Sequence, residues 1–278
     1  MIIKTLKPLP GDVALIPGDI HFDSHDPEAL DLMLQVAQAF RVNTGILVGD
    51  TFDSIGISRH PSLRREFRFD RGTIKAEAAA ARPYIEAIDA IVSSNRGPFN
   101  PGGLHVLTGN HEHWWKGVQD EYPGLADTPW FELYGDLFDG WHVYKEYTAL
   151  RLGQLMVCHG HRLRGALSKY SAASVLANYP GQNTLYGHTH RVDACITPNY
   201  KYGTPVDHGA WTIGHMRDIR RTIKDPFMGP LVEKHRQGFA LVFFYEVAGE
   251  LRFNVTQVTV DRGPAGLPYC NVAGVLFE

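Results

Sequence analysis

The sequence predicts an α/β fold with two β-sheets flanked by helices, on three observations. Five short apolar runs each stop abruptly at Gly, Asp, Asn or His, as buried strands feeding functional loops do. A helical pattern separates the first two runs, giving the strand–helix–strand order of α/β layering. A hairpin pattern near the C-terminus adds an antiparallel sheet.

In chain order, Val13 to Pro17 runs into Gly18-Asp19-Ile20-His21, Thr44 to Val48 into Gly49-Asp50, and Leu104 to Thr108 into Gly109-Asn110-His111-Glu112. Leu155 to Cys158 runs into His159-Gly160-His161, and Asn183 to Tyr186 into Gly187-His188-Thr189-His190. Strands of this kind sharing one sheet would bring their polar exits to one rim. Between the first two runs, Asp26 to Phe40 has helical apolar spacing behind an Asp cap. Ile74 to Val92 reads as an alanine-rich second helix. Trp114 to Trp141 is aromatic and broken by Pro123, Gly124, Pro129, Gly135 and Gly140, so it reads as an excursion over the surface or the site. Ala240 to Val247 and Leu251 to Thr259 form the hairpin, turning at Gly249, and belong to the second sheet.

No repeat, low-complexity tract or Pro/Gly/Ser-rich linker divides the chain, so residues 1–278 are expected to form one domain with surface excursions about 54–75 and 114–145. A formal charge of −3 excludes a global positive field for nucleic acid or anionic membranes, so any polyanion needs a local basic patch. Three cysteines, Cys158, Cys195 and Cys270, lack CxxC spacing and suit buried positions in a reducing compartment. The first 15 residues are broken by Lys4, Lys7, Pro8, Pro10, Gly11 and Asp12, and no apolar run approaches the roughly 20 residues of a spanning helix. A cytoplasmic protein without a membrane partner is expected.

Histidine is the anomaly. There are 14, with pairs two apart at His111 and His113, His159 and His161, and His188 and His190. Asp19, His21, Asp50, Asn110, His159, His188 and His190 offer only oxygen and nitrogen donors, which favour manganese, iron, zinc or a similar divalent ion over a thiolate-bound metal. Seven ligands are too many for one ion, but two ions sharing a carboxylate need about this number. Two such ions bring four positive charges and Asp19 with Asp50 return two negative ones, so an anionic substrate such as a phosphate ester follows.

The ordered blocks GDIH (18–21), GDTFD (49–53), GNHE (109–112), HGH (159–161) and GHTH (187–190) resemble the five signatures of the calcineurin-like metallophosphoesterase superfamily. The resemblance implies a sandwich of two facing β-sheets flanked by α-helices, with a binuclear centre where the exits meet. It implies Asp19, His21 and His190 as ligands of one metal, Asp50 as the bridge, and Asn110, His159 and His188 as ligands of the other. Manganese is the first expectation, with iron, zinc, nickel and magnesium as alternatives. His111 matches the family's catalytic histidine; an imidazole can protonate a leaving group. Asp53 and Glu112 read either as carboxylates orienting the ligands or His111 or as plain structural caps. His161, Arg162 and Arg164 read either as contacts to substrate phosphate or as a solvated loop.

Departures from subfamily patterns narrow the expectation. Protein serine/threonine phosphatases carry Asp-Arg-Gly after the second block, whereas this chain reads Asp53-Ser54-Ile55. Purple acid phosphatases place a tyrosine where Asp53 stands. Gly135 to Asp139 spells a second GDxxD, similar to that of repair nucleases, but lacks a preceding strand. The segment Arg236 to Val242 is similar to uncharacterised bacterial and phage members of the superfamily. Ser58 to Lys75, with Arg59, Arg64, Arg65, Arg68, Arg71 and Lys75, reads either as a wall for a nucleic-acid backbone or as a solvated helix face. Trp114, Trp115, Trp130, Phe131 and Trp141 read as core or, less simply, as base-stacking surfaces. The expected reaction is hydrolysis of a phosphodiester in nucleic acid or a nucleotide. A phosphomonoesterase is the alternative enzyme, and a noncatalytic metal-binding scaffold the alternative of another class.

Overall fold

The apolar runs fold into strands whose alternate residues face different cores, and this parity sets the layers. The structure, a computed structural model, describes residues 1–58, 69–96, 103–199, 206–222 and 234–278. Its elements begin with β1 (Ile2–Leu6), β2 (Val13–Pro17), α1 (Pro27–Ala39), β3 (Thr44–Leu47), α2 (Arg71–Asn95), β4 (Leu104–Val106), α3 (Asn110–His113), α4 (Trp115–Glu121) and β5 (His142–Val143). Then come β6 (Thr148–Leu152), β7 (Leu155–Cys158), α5 (Ser171–Asn178), β8 (Asn183–Tyr186), β9 (Val192–Asn199), β10 (Val206–Ile213) and α6 (Ile219–Thr222). The chain ends with β11 (Gly238–Val247), β12 (Glu250–Thr259), β13 (Asp261–Arg262), β14 (Pro268–Val272) and β15 (Val275–Phe277).

Two six-stranded sheets face one another, ordered β12-β11-β2-β3-β4-β5 and β1-β6-β7-β8-β10-β9. Between them lie Ala14, Ile16, Ile46 and Val48 from one sheet and Leu155, Val157, Leu185 and Ile213 from the other. The opposite parity of the first sheet, Leu15 and Leu47, packs on α1 through Leu30, Met33 and Val36 and on α2 through Ile85, Ile88 and Val92. Met156 and Cys158 pack outward on α5 through Ala172, Val175 and Leu176. Strands buried on both faces read as continuous apolar runs, which explains the sequence pattern. The expected α/β sandwich with flanking helices is therefore the observed architecture.

One condition left open by the sequence is answered, and one expectation is corrected. The five exits do not come from one sheet: β2, β3 and β4 lie in the first, β7 and β8 in the second. The C-terminal hairpin joins the first sheet rather than the second, because β11 pairs antiparallel with β2, Leu241 opposite Leu15. Its turn is as expected, with Ala248 and Gly249 both at positive φ (52° and 79°), the conformation of a tight two-residue hairpin loop.

Helix signals held with small shifts. The Asp26 side chain accepts from Ala29 N and Pro27 opens α1. Asp70 caps α2 through Gly72 N and Thr73 N, starting it at Arg71, before the expected Ile74. The aromatic stretch 114–141 contributes core: Trp115, Trp130 and Trp141 are buried with α1 and α2, and Phe131 packs against them. In the GDxxD decoy, Asp136 pairs with Arg82 at 2.6 Å, away from the strand exits. Of the basic stretch, Arg59, Arg64, Arg65 and Arg68 lie outside the described residues; Arg71 and Lys75 are exposed on α2. Among the described residues no helix is long and apolar enough to cross a membrane.

One polar residue breaks the apolar face of α2. Glu77 is fully buried; its carboxylate accepts from Ile55 N at 3.1 Å and from the Tyr134 hydroxyl at 3.2 Å. Burial, with the Asp53 charge nearby, pushes it up from 4.5 to about 8. The folded chain thus keeps a proton that the unfolded chain releases, so this contribution to stability is full below about pH 4.5 and is lost as pH rises through about 8. Glu77→Gln keeps the hydrogen bonds without the ionisation. Thermal unfolding should show the variant gaining on the wild type as pH rises from 5 to 9, by on the order of a few kcal/mol, and a constant gap would refute the buried proton.

Candidate metal centre

Each exit turns sharply to aim its side chain inward. His21, Asp50, His188 and His190 all have positive φ, between 49° and 67°, an unfavourable region for residues with a Cβ and one concentrated at functional sites. Two glycines permit the close approach of neighbouring exits. A Cβ on Gly187 would stand 2.2 Å from Asp19 Oδ1, and one on Gly109 2.2 Å from Asp50 Oδ1.

The exits are tied together by backbone amides. His188 N–H donates to Asp19 Oδ2 at 2.8 Å, joining the β2 exit of one sheet to the β8 exit of the other. His111 N–H donates to Asp50 Oδ1 at 2.9 Å. The buried Glu112 carboxylate accepts from Thr51 N at 2.7 Å, Gly109 N at 2.8 Å and Asp50 N at 3.0 Å, bracing the β3 exit against the β4 exit. Glu112 thus holds loop backbone rather than a ligand imidazole.

Three groups of donor atoms converge. Asp19, His21 and His190 form one, Asp50, His159 and His188 a second, and His21, Asp53 and His111 a third, the atoms of each lying within 4.8 Å of one another. In the first, His21 Nε2 and His190 Nε2 are 3.1 Å apart and His190 Nε2 is 3.3 Å from Asp19 Oδ2. In the second, His159 Nε2 stands 3.0 Å from Asn110 Oδ1 and 3.4 Å from Asp50 Oδ2. Six of the seven expected ligands are therefore in these two groups, and the seventh, Asn110, lies beside the second through His159.

The charges fit bound cations. Asp19 and Asp50 are 0% and 2% exposed, and a buried carboxylate needs a compensating charge. Burial works against their ionisation, but His159 and His190 beside Asp19, and His159 and His111 beside Asp50, hold both carboxyls below the usual range. Burial also opposes charge on His159, yet Asp50 and Asp19 outweigh it and hold this imidazole up at about 9. A proton on His159 answers the same excess of negative charge that a divalent ion would. Burial pushes His21 and His188 down to about 4, leaving neutral imidazoles suited to ligation. Nitrogen and oxygen donors around two buried carboxylates fit divalent ions of the manganese, iron or zinc kind.

Around these groups, Asp53 Oδ1 lies 2.9 Å from His21 Nδ1 and Asp53 Oδ2 accepts from Ser24 Oγ, fixing the ring that presents Nε2 inward. Burial opposes ionisation of Asp53, but His21 and Arg217 hold it well below the usual range. His111 Nδ1 donates to the Asp53 carbonyl at 2.9 Å, which leaves Nε2 facing the site, 3.9 Å from Asp50 Oδ2. Its ring stacks on Trp114 with centroids 4.2 Å apart. His161 lies beside the second group, 5.2 Å from the His159 ring. Arg162 turns to Tyr147, 2.5 Å from its hydroxyl, and the exposed Arg164 donates its backbone N–H to the Tyr179 hydroxyl.

Sequence reasoning missed a sixth exit. The β10 strand ends at Ile213 and runs into Gly214-His215, and His215, His235 and His190 form a ring cluster with centroids 5.0 to 5.7 Å apart. Arg217 reaches to 3.8 Å from Asp53 Oδ2. Burial drives His215 well below its usual value and His235 down to about 4, so both are neutral beside His190. The signal was present in Gly214-His215, but Asp207, His208 and Thr212 interrupt the apolar residues that precede it.

No family model matches the chain, and no curated protein matches it. Among solved structures it is similar to vacuolar protein sorting 29 from Cryptosporidium parvum, at 12% identity over 89% of this chain and 98% of that chain, with a TM-score of 0.39.

The glycine contacts give a test of the centre that needs no substrate. Gly187→Ala must displace the Asp19 carboxylate, so calorimetric titration with Zn²⁺ or Mn²⁺ should show at least a tenfold loss at one site, the order seen when groups supporting metal ligands are removed. Unchanged affinity would mean that Asp19 is not a ligand.

Proposed function

We propose that the chain is a metal-dependent phosphoesterase acting on a phosphodiester, in nucleic acid or a nucleotide. The observation that carries this reading is the convergence of Asp19, His21 and His190 beside Asp50, Asn110, His159 and His188 where the exits of two sheets meet. Its sequence support is the resemblance of the five blocks to the calcineurin-like metallophosphoesterases. Asp19, His21 and His190 would hold one divalent ion, Asn110, His159 and His188 the other, and Asp50 both; manganese is the first choice. Bound there, the ions would supply the Lewis acidity that ionises an attacking water and neutralises the phosphate.

The protein groups divide the remaining work. Asp53 orients His21, and Glu112 fixes the turn that carries Asp50 and Asn110. His111, locked at Nδ1 by the Asp53 carbonyl and supported by Trp114, presents Nε2 to the leaving oxygen and delivers its proton. The alkoxide then departs as an alcohol.

Metal-stripped protein should regain hydrolysis of bis-p-nitrophenyl phosphate and of single- or double-stranded DNA when Mn²⁺, Zn²⁺ or Mg²⁺ is added, and Asp50→Asn should remain inactive. Turnover of p-nitrophenyl phosphate alone would make the chain a monoesterase. Silence on every ester with metal bound would make it a scaffold. His111→Ala should keep its metals, measured by elemental analysis, and lose about 10² to 10⁴ in kcat; near-full activity would remove His111 from the mechanism.

A further inference from the structure

Beside the second donor group lies a cavity of about 380 Å³ that the metal chemistry does not use. His159 forms part of its wall, so it opens directly off the proposed phosphate site. The rest of the lining includes Tyr147, Tyr179, His161, Arg162, Cys158 and Leu163. Ligand cavities span roughly 300 to 1,000 Å³, so this one suits a group of nucleoside size rather than a folded partner.

The lining is selective. Tyr147, Tyr179 and His161 offer aromatic faces, the Arg162 guanidinium lies 4.8 Å over the Tyr147 ring, and no carboxylate lines the cavity among the described residues. Both ring nitrogens of His161 are buried without a hydrogen-bond partner among the described residues, although the His161 ring lies only 5.9 Å from that of Tyr147. Buried polar atoms in native proteins are almost always paired, so an imidazole unpaired at both nitrogens at a cavity wall marks a place for a ligand bearing donors and acceptors. A planar heterocycle meets each demand: a face for the rings, edge atoms for His161 and Arg162, and no positive charge.

We infer that this cavity receives the nucleoside portion of the substrate, with its base against Tyr147 and Arg162 and its phosphate toward His159. The assignment rests on the phosphoesterase reading for the position of the phosphate, but not for the recognition of the base. It makes a nucleotide, or a nucleotide unit at the end of a chain, the substrate class.

Calorimetric titration of the full chain, metal-stripped and again with Zn²⁺ added, would compare adenosine 5′-monophosphate with ribose 5-phosphate, which lacks only the base. The expected result is at least tenfold tighter binding of adenosine 5′-monophosphate in both states. Tyr147→Leu and Arg162→Ala should each erase most of that advantage, while Tyr147→Phe, which retains the ring, should keep it. Tyr147 is partly exposed and Arg162 exposed, so neither change threatens the fold. Equal binding of the two phosphates, or an advantage that survives both Tyr147→Leu and Arg162→Ala, would overturn the assignment. Base-dependent binding without hydrolysis under any metal would uphold the cavity and sink the phosphoesterase reading alone.

Discussion

The burial of two carboxylates, Asp19 and Asp50, is the constraint on which the rest of the site depends. Neither can be removed from water without opposing charge and hydrogen bonds. Asp19 takes its hydrogen bond from His188 across the gap between the sheets, and Asp50 takes one from His111 at the exit of the neighbouring strand β4. These bonds meet only part of the requirement. The rest falls on imidazoles packed against the carboxylates or on a cation, and this makes the rim both the least self-sufficient part of the fold and its most reactive.

Holding so many donors together sets demands on the backbone. Four of the seven proposed ligands occupy left-handed conformations, each disfavoured by on the order of 1 kcal/mol or more, and two exits touch so closely that only glycine fits. Such turns persist when surrounding structure over-determines them. Here that support is visible: Glu112 gathers three amides from two exits within 3.0 Å, and both sheets behind the exits are closed by apolar side chains on either face. Rigid strands with strained ends deliver side chains more accurately than long loops could.

The sequence disclosed the site better than the topology. Asp19, His21, Asp50, Asn110, His159, His188 and His190 stand in contiguous blocks after apolar strands, so strand ends and ligand chemistry coincide in the same few letters. The division of the exits between two sheets was not legible, because a doubly buried strand reads the same in either sheet and pairing is a long-range choice. The hairpin was recognised by its turn but assigned to the wrong sheet for that reason. His215 escaped because Asp207, His208 and Thr212 interrupt the apolar residues of β10 before Gly214. Glu112 was legible as a supporting carboxylate, whereas its actual partners, backbone amides of another exit, carry no side-chain signature.

The two sides of the centre are finished differently, and the difference bears on how a substrate can lie. Near His190, the C-terminal half folds back: His215 and His235 pack on the ligand ring, Arg217 approaches Asp53, and Gln237 Nε2 donates to Asp26 Oδ2 and to the Arg217 carbonyl. Arg217, from a distant part of the chain, thus approaches the carboxylate that orients His21. That flank is packed, with His215 wholly buried. Near His159 the wall is open, with a cavity beyond His161 and an arginine resting on a tyrosine. Under the proposed phosphoesterase reading, a phosphate held at the centre would direct its organic group toward the side with room, so the packed flank would fix the metal-holding side chains and the open flank would distinguish one ester from another.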